Sequence, residues 1–339
     1  MGTRKKWVAG ILATGVMGAM LSGVASPAQA LTDIKVALGP YNSIGAIQYA
    51  QDSGIMRRNN LNISEFVVLP APPPAIAALA SGQVQFAYTP TIPAINSYEN
   101  AGINLRIVAP ADGYRRSDLV KAKKDDAFAA GMDDTGVCVN PSSGIRRWKN
   151  LEGKTVSVPA RGAQAEVTIA QAVKDDGGDS SKINWVTLTF PEVVPSVKNG
   201  QVDAGFTVEP FGGICKSEGM KNLGSPGIAF FDVEQAIGVW VTTAEYASKN
   251  PKVVADFQKA MYQTHQYAMK SKANMRKVIL ASTKITELSA KDALAANPPY
   301  YPMQVTRVDV TRPAQKMFEL GFLDKKADVA GLLQKQYRK

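Results

Sequence analysis

The segment Gly82-Gln83-Val84-Gln85-Phe86-Ala87 returns as Gly200-Gln201-Val202-Asp203-Ala204-Gly205, an offset of 118 residues. Each copy follows a helical stretch and opens an apolar run that reads as a strand. Earlier in each half, Val36-Ala37-Leu38 with Pro40 beyond it parallels Val156-Ser157-Val158 with Pro159, at an offset of 120. Two matches at nearly one offset predict two lobes of similar topology. The chain of 339 residues is long enough for two cores, and 45% hydrophobic against 20% charged residues is a globular composition that excludes a disordered or fibrous chain.

Within the first half, short apolar runs alternate with helical stretches. Strands are predicted at residues 34–38, 63–69, 84–88 and 105–108, and helices at 44–51, 75–81 and 92–100. Such alternation calls for crossover connections and a mainly parallel sheet, hence an α/β class. A polar, charged stretch from Ala111 to Asp134 separates the halves and reads as the first crossing between lobes. Beyond a strand at 237–243, amphipathic helices are predicted at 251–272, with Pro251 at its first position, and at 274–283, capped by Asn274.

The first 30 residues carry a different message. Arg4, Lys5 and Lys6 precede an uncharged run from Trp7 to Val24, and Ala28-Gln29-Ala30 forms a small-residue cleavage pattern. This is the layout of a removed export signal, with the mature chain beginning near Leu31. Those three basic residues account for three of the ten net positive charges, so the charge does not read as a nucleic-acid footprint. A lipid anchor would require a cysteine at the mature N-terminus, whereas the two cysteines are Cys138 and Cys215. In an oxidising compartment the pair can bridge or remain as two buried thiols, and spacing alone leaves both open.

Gly39-Pro40-Tyr41-Asn42-Ser43, Leu79-Ala80-Ser81-Gly82-Gln83-Val84, Leu151-Glu152-Gly153-Lys154-Thr155-Val156-Ser157-Val158-Pro159 and Gly200-Gln201-Val202-Asp203-Ala204 with Glu209-Pro210-Phe211 together resemble the periplasmic solute-binding proteins of ABC importers. The similar branch takes alkanesulfonates, taurine, nitrate and thiamine precursors. The resemblance implies a two-lobed fold with lobe 1 over residues 31–111, lobe 2 over 112–236, and a return to lobe 1 with C-terminal helices over 237–339. It also implies a two-segment hinge, a small-molecule ligand in the cleft, and an ABC permease in the cytoplasmic membrane as partner. A monomer without a cofactor is expected.

Ligands of open α/β sheets bind where strand ends lead into helices. Tyr41, Asn42 and Ser43 stand at such a place in lobe 1, with Asn42 or Ser43 also expected to cap the following helix; Thr89, Pro90 and Thr91 follow a later strand. Arg161, Gly162, Ala163 and Gln164 occupy the matching place in lobe 2, where a guanidinium can grip a carboxylate or sulfonate. Tyr114 at the first crossing, and Glu209 and Phe211 after a lobe 2 strand, complete the candidates. Arg115 and Arg116 are adjacent and are expected to be solvated. The aromatic residues favour a ring, and Arg161 favours an acid, so an aromatic carboxylate or organic sulfonate is the expected ligand. A thiamine-type heterocycle, or a role as ligand sensor or interaction protein, is the alternative.

Enzymatic readings find little support. The single histidine, His265, lies in a predicted helix without a nucleophile motif, and no zinc-ligand set, P-loop or dinucleotide fingerprint occurs. A thiamine-pyrimidine synthase of similar fold uses a histidine near a cysteine-rich stretch, and this chain has neither.

Overall fold

A computed structural model describes residues 1–2, 30–115, 134–231, 235–286 and 288–337. The expected export signal, apart from its ends, and Arg116 lie outside the described residues. Among the described residues ten strands are seen: β1 (Thr32–Leu38), β2 (Leu61–Val68), β3 (Phe86–Pro90), β4 (Leu105–Tyr114), β5 (Thr135–Val139), β6 (Thr155–Val158), β7 (Asn184–Thr187), β8 (Ala204–Val208), β9 (Lys221–Asn222) and β10 (Gln235–Thr243). They form two five-stranded sheets, ordered β2-β1-β3-β10-β4 and β7-β6-β8-β5-β9.

The two orders are the same pattern used twice, as the echoed segments predict. Val36 and Ala37 pair with Phe86 and Ala87 in the first sheet, and Val156 and Ser157 pair with Ala204 and Gly205 in the second. The reason for the repeated Gly-Gln-Val is a helix stop. Gly82 (φ 79°) and Gly200 (φ 70°) take the left-handed conformation, and their N–H groups donate to Leu79 O and Val197 O. Glycine adopts that conformation without steric cost. Val84 and Val202 then turn into the core. The next side chain locks the strand edge: Gln85 Oε1 accepts from Lys35 N–H at 2.8 Å, and Asp203 Oδ2 accepts from Thr155 N–H at 2.8 Å.

The sheets are mixed rather than mainly parallel. The strands opening each pattern, β1, β2 and β3, then β6, β7 and β8, run parallel. β10 and β5 enter each sheet antiparallel, because each arrives from the other side of the molecule without a crossover helix of its own. β4 also runs six residues past the predicted end at Val108. Hydropathy hides this extension, since it contains Pro110 and Asp112; Pro110 faces Val239 at an irregular register, where a missing N–H is tolerated.

Helix Pro251–Met269 covers the first sheet with Val254, Phe257, Ala260, Met261, Thr264, His265 and Ala268 buried, a spacing that keeps one face inward. Phe257 stacks on Phe86 at 4.0 Å and meets Trp240 edge-on at 5.7 Å. The next helix spans Lys272–Thr286, so Asn274 is inside it rather than its cap. Ser271 Oγ accepts from Asn274 N–H at 3.1 Å, while Asn274 Nδ2 donates to Tyr267 O at 2.9 Å and ties the two helices together. Cys138 and Cys215 are bridged, with Cα atoms 6.0 Å apart; the bond lies among Val193, Val194, Val197 and Val202. Among the described residues, no helix is long and apolar enough to cross a membrane.

Candidate ligand cleft

Two loops in equivalent positions face each other: Gly39–Tyr41, with a short turn of helix over Asn42–Ile44, after β1, and Pro159–Ala163 after β6. Between them lies a cavity of about 880 Å³. Tyr41 folds back over Gly39, where any Cβ would meet the tyrosine ring at 2.4 Å. Its ring stands 5.3 Å from Tyr88 and 5.8 Å, edge-to-face, from Phe190 of the second lobe. Phe190 opens helix Phe190–Lys198, whose start is fixed by reciprocal bonds between Thr189 and Glu192. Phe206 and Tyr114 add further aromatic wall.

Asp112 is the polar centre of this wall. It is 8% exposed; Tyr88 O–H donates to its Oδ2 at 2.9 Å, and Gly238 N–H donates to its Oδ1 at 2.7 Å. Burial raises its pKa above the usual carboxylate value, opposed by hydrogen bonds from Ser43, Tyr88 and Gly238. The same desolvation, with the Asp112 charge added, raises Tyr41 and Tyr88 far above an ordinary phenol. Gly238 is a glycine by necessity, because a Cβ there would sit 2.1 Å from Asp112 Oδ1 and 2.7 Å from the Tyr88 ring.

One buried polar atom on the cavity wall, Gln164 Oε1 of the second lobe, has no hydrogen-bond partner, whereas Ser43 of the first lobe lies against Asp112 and Tyr88. Buried polar atoms are nearly always paired, so Gln164 Oε1 marks a place for a ligand's donor.

A third wall comes from the C-terminal region. Leu294, Ala296, Pro298, Pro299 and Tyr300 line the cavity. This strap is anchored where Gly113 N–H donates to Tyr300 O at 3.0 Å, where Tyr301 O–H donates to Ser43 O at 3.0 Å, and where His265 Nδ1 donates to Pro302 O at 2.7 Å. The carbonyl can only accept, so Nδ1 carries the proton of a neutral imidazole. Burial pushes the His265 pKa down to about 4. The arginine side chain of Arg115 lies 4.9 Å above the Tyr300 ring.

Of the sequence candidates, Tyr41, Ser43, Pro90, Tyr114, Ala163 and Gln164 line the cavity, and the others stand off it. Arg161 is the main correction. Its Nε and Nη2 donate to Glu166 at 2.9 and 2.8 Å, and Gly162 N–H joins the same carboxylate at 2.6 Å. The glutamate one helical turn into helix Gln164–Asp175 thus turns the guanidinium away, toward Trp185 at 6.0 Å. Glu209, which is 2% exposed, accepts from Gly213 N–H at 3.1 Å and from Asn297 N–H of the strap at 3.2 Å. Phe211 stacks behind Phe190 at 5.9 Å. Asn42 accepts from Ser282 Oγ at 3.3 Å, and neither it nor Ser43 caps a helix through its side chain. Thr89 Oγ1 donates to Pro90 O at 3.0 Å, and Thr91 is fully buried. Gly162 O accepts from Asn96 Nδ2 at 2.9 Å, a bond between the lobes.

The sequence reading missed Tyr88, Asp112, Phe190, Phe206 and Tyr300, with the exposed cations Lys272 and Arg276. One signal was present: an aspartate, Asp112, directly after the apolar run Ile107-Val108-Ala109-Pro110-Ala111. The described residues contain no group of His, Cys, Asp or Glu suited to holding a metal.

Residues 128–274 match the family described as "NMT1/THI5 like". No curated protein matches. Among solved structures, the chain is similar to the alkanesulfonate-binding protein SsuA from Xanthomonas axonopodis pv. citri bound to MOPS (16% identity, 90% of this chain and 99% of that chain, TM-score 0.70). It is similar to the periplasmic nitrate-binding protein NrtA from Synechocystis PCC 6803 (11% identity, 91% and 87%, TM-score 0.72). A desulfurization enzyme, DSZB, shares the fold (13% identity, 90% and 97%, TM-score 0.62). The fold is that of the two-lobed periplasmic binding proteins, and the family match agrees with the branch that the sequence motifs resemble.

Proposed function

We propose that this chain is the exported solute-capturing component of an ABC import system, holding one small molecule between its lobes and passing it to a membrane permease. The observation that carries this reading is the cavity itself. Equivalent loops of two lobes face each other across a wall that sets aromatic rings beside a few polar groups, the unpaired Gln164 Oε1 among them, which is how a preformed small-molecule site is composed. The binding roles of the alkanesulfonate and nitrate proteins of the same fold support it. The chain up to Tyr114, where β4 ends, and from Gln235, where β10 opens, acts as one jaw, and the second sheet with its helices as the other. The crossings thus fall after Tyr114 and before Gln235 rather than at 111/112 and 236/237, with closure favoured by contacts that a ligand makes to both jaws.

The solute carries a ring. Tyr41, Tyr88 and Phe190 approach one another at the cavity, where flat apolar surface gains most from burial. Arg161 gives no ground for an acid, since Glu166 already occupies its guanidinium; an acidic group would instead meet Arg115, Lys272 and Arg276. The enzyme reading gains nothing at the cavity, because His265 is buried behind the strap without a nucleophile beside it.

A thermal-shift assay with a small-molecule extract of bacterial cells tests capture. The expected result is a raised melting temperature, traced by mass spectrometry to one released compound. No shift from the extract, and no compound released from the purified protein on denaturation, would remove the capture role.

A further inference from the structure

Resting on the cavity as the capture site, we infer that its ligand is a donor-bearing aromatic ring, an amino- or amidine-type cation, held by Asp112 and not an organic anion. Four observations converge. Asp112 lines the cavity, is almost wholly buried, and sits among Tyr41, Tyr88, Phe190 and Phe206. Its oxygens accept from Gly238 N–H and from Tyr88 O–H, and Ser43 stands close enough to add a third bond. An ionised carboxylate has about four lone-pair positions, so at least one remains for an N–H group of a ligand cation. The unpartnered Gln164 Oε1 on the opposite wall is a further acceptor.

The cations of the cavity do not reverse this preference. Arg115, Lys272 and Arg276 are exposed, and exposed charge pairs contribute little because water screens them. A carboxylate ligand placed against Asp112 would put two like charges in a desolvated space, and a neutral ring without donors would leave Asp112 charged and without a counter-ion. The buried group therefore sets the sign of the ligand, and the rim sets its approach. Asp112 is also a hinge-side group, since its bond to Gly238 ties β4 to β10 at an irregular register. A ligand bonded to Asp112 thus pulls directly on a strand pair that leads toward the other lobe.

The test uses two probes of matched size, benzamidine and benzoate, at millimolar concentration with the full mature protein, and the variant Asp112→Asn. Asparagine keeps an acceptor for Gly238 N–H, and Tyr88 can turn to accept from its amide, so the variant should fold; its circular dichroism and unliganded melt check this. Benzamidine is expected to raise the melting temperature of the wild type and benzoate is not, with affinity for benzamidine reduced about tenfold or more in Asp112→Asn. A purely structural role for Asp112 would not produce a second expected result. Binding should weaken as the pH falls through the raised Asp112 pKa, and this part of the pH dependence should be lost in Asp112→Asn; the other ionisable groups around it, Tyr41, Tyr88, Tyr301, Asp134 and Arg115, are common to both proteins and cancel in the comparison. A shift from benzoate alone, equal benzamidine affinity in both proteins, or an extract-induced shift that survives Asp112→Asn would overturn the assignment while leaving capture standing. Silence toward both probes and toward the extract would overturn capture itself.

Discussion

Burial holds His265 at a pKa of about 4, against 6.5 for a free imidazole, and lifts Asp309 to about 6 from 3.8. The signs oppose. For His265 the unfolded chain takes the proton first, so its contribution is complete above pH 6.5 and is lost as the pH falls toward 4, by about 3 kcal/mol. For Asp309 the folded state takes the proton first, so its contribution is complete below the unfolded pKa and is lost as the pH rises through 6. Across that shared window the two offset one another. Asp309→Asn should leave the histidine unopposed, and its melting temperature should fall more steeply on acidification from pH 6.5 to 4 than that of the wild type. Parallel profiles would show that Asp309 does not carry the stated linkage. Neither behaviour was legible in the sequence, since a pKa is set by what the fold packs around the group. The same holds for Arg161, whose motif position is right for a ligand contact but whose charge is taken by Glu166, five residues on.

The strand-opening segments Gly82-Gln83-Val84-Gln85 and Gly200-Gln201-Val202-Asp203 were legible because their function is local: a left-handed glycine, a buried valine and a side chain that bonds to the neighbouring strand. What local pattern could not convey is which distant segment completes an element. The end of β4 depends on β10, more than a hundred residues later, and the strap Ala296–Tyr300 depends on Gly113 and Ser43 for its place. The Cys138–Cys215 bridge is another such long-range tie, joining β5 to helix Phe211–Ser217 across a separation of 77 residues. Closing a loop of that length constrains the unfolded chain, and Cys138→Ser with Cys215→Ser should cost roughly 4 kcal/mol. Urea unfolding followed by tryptophan fluorescence measures it; an unchanged midpoint would mean that the valines around the bridge already fix this part of the lobe.

At the scale of the molecule, the repeated sheet order places two equivalent loops mouth to mouth, and the cavity follows from that symmetry. Contacts already cross it: Tyr41 with Phe190, Asn96 with Gly162 and Glu209 with the strap. The sequence carried the two lobes, the hinge and part of the wall, whereas the aromatic floor came from residues without a motif. Capture between lobes requires that ligand contacts be stronger in the closed form than in the open one. Small-angle X-ray scattering of the mature protein, with and without the compound that raises its melting temperature, measures this most directly. The account predicts a smaller radius of gyration when the compound is bound. Tight binding with no change between the two curves, in a protein whose unliganded form is already open, would contradict it.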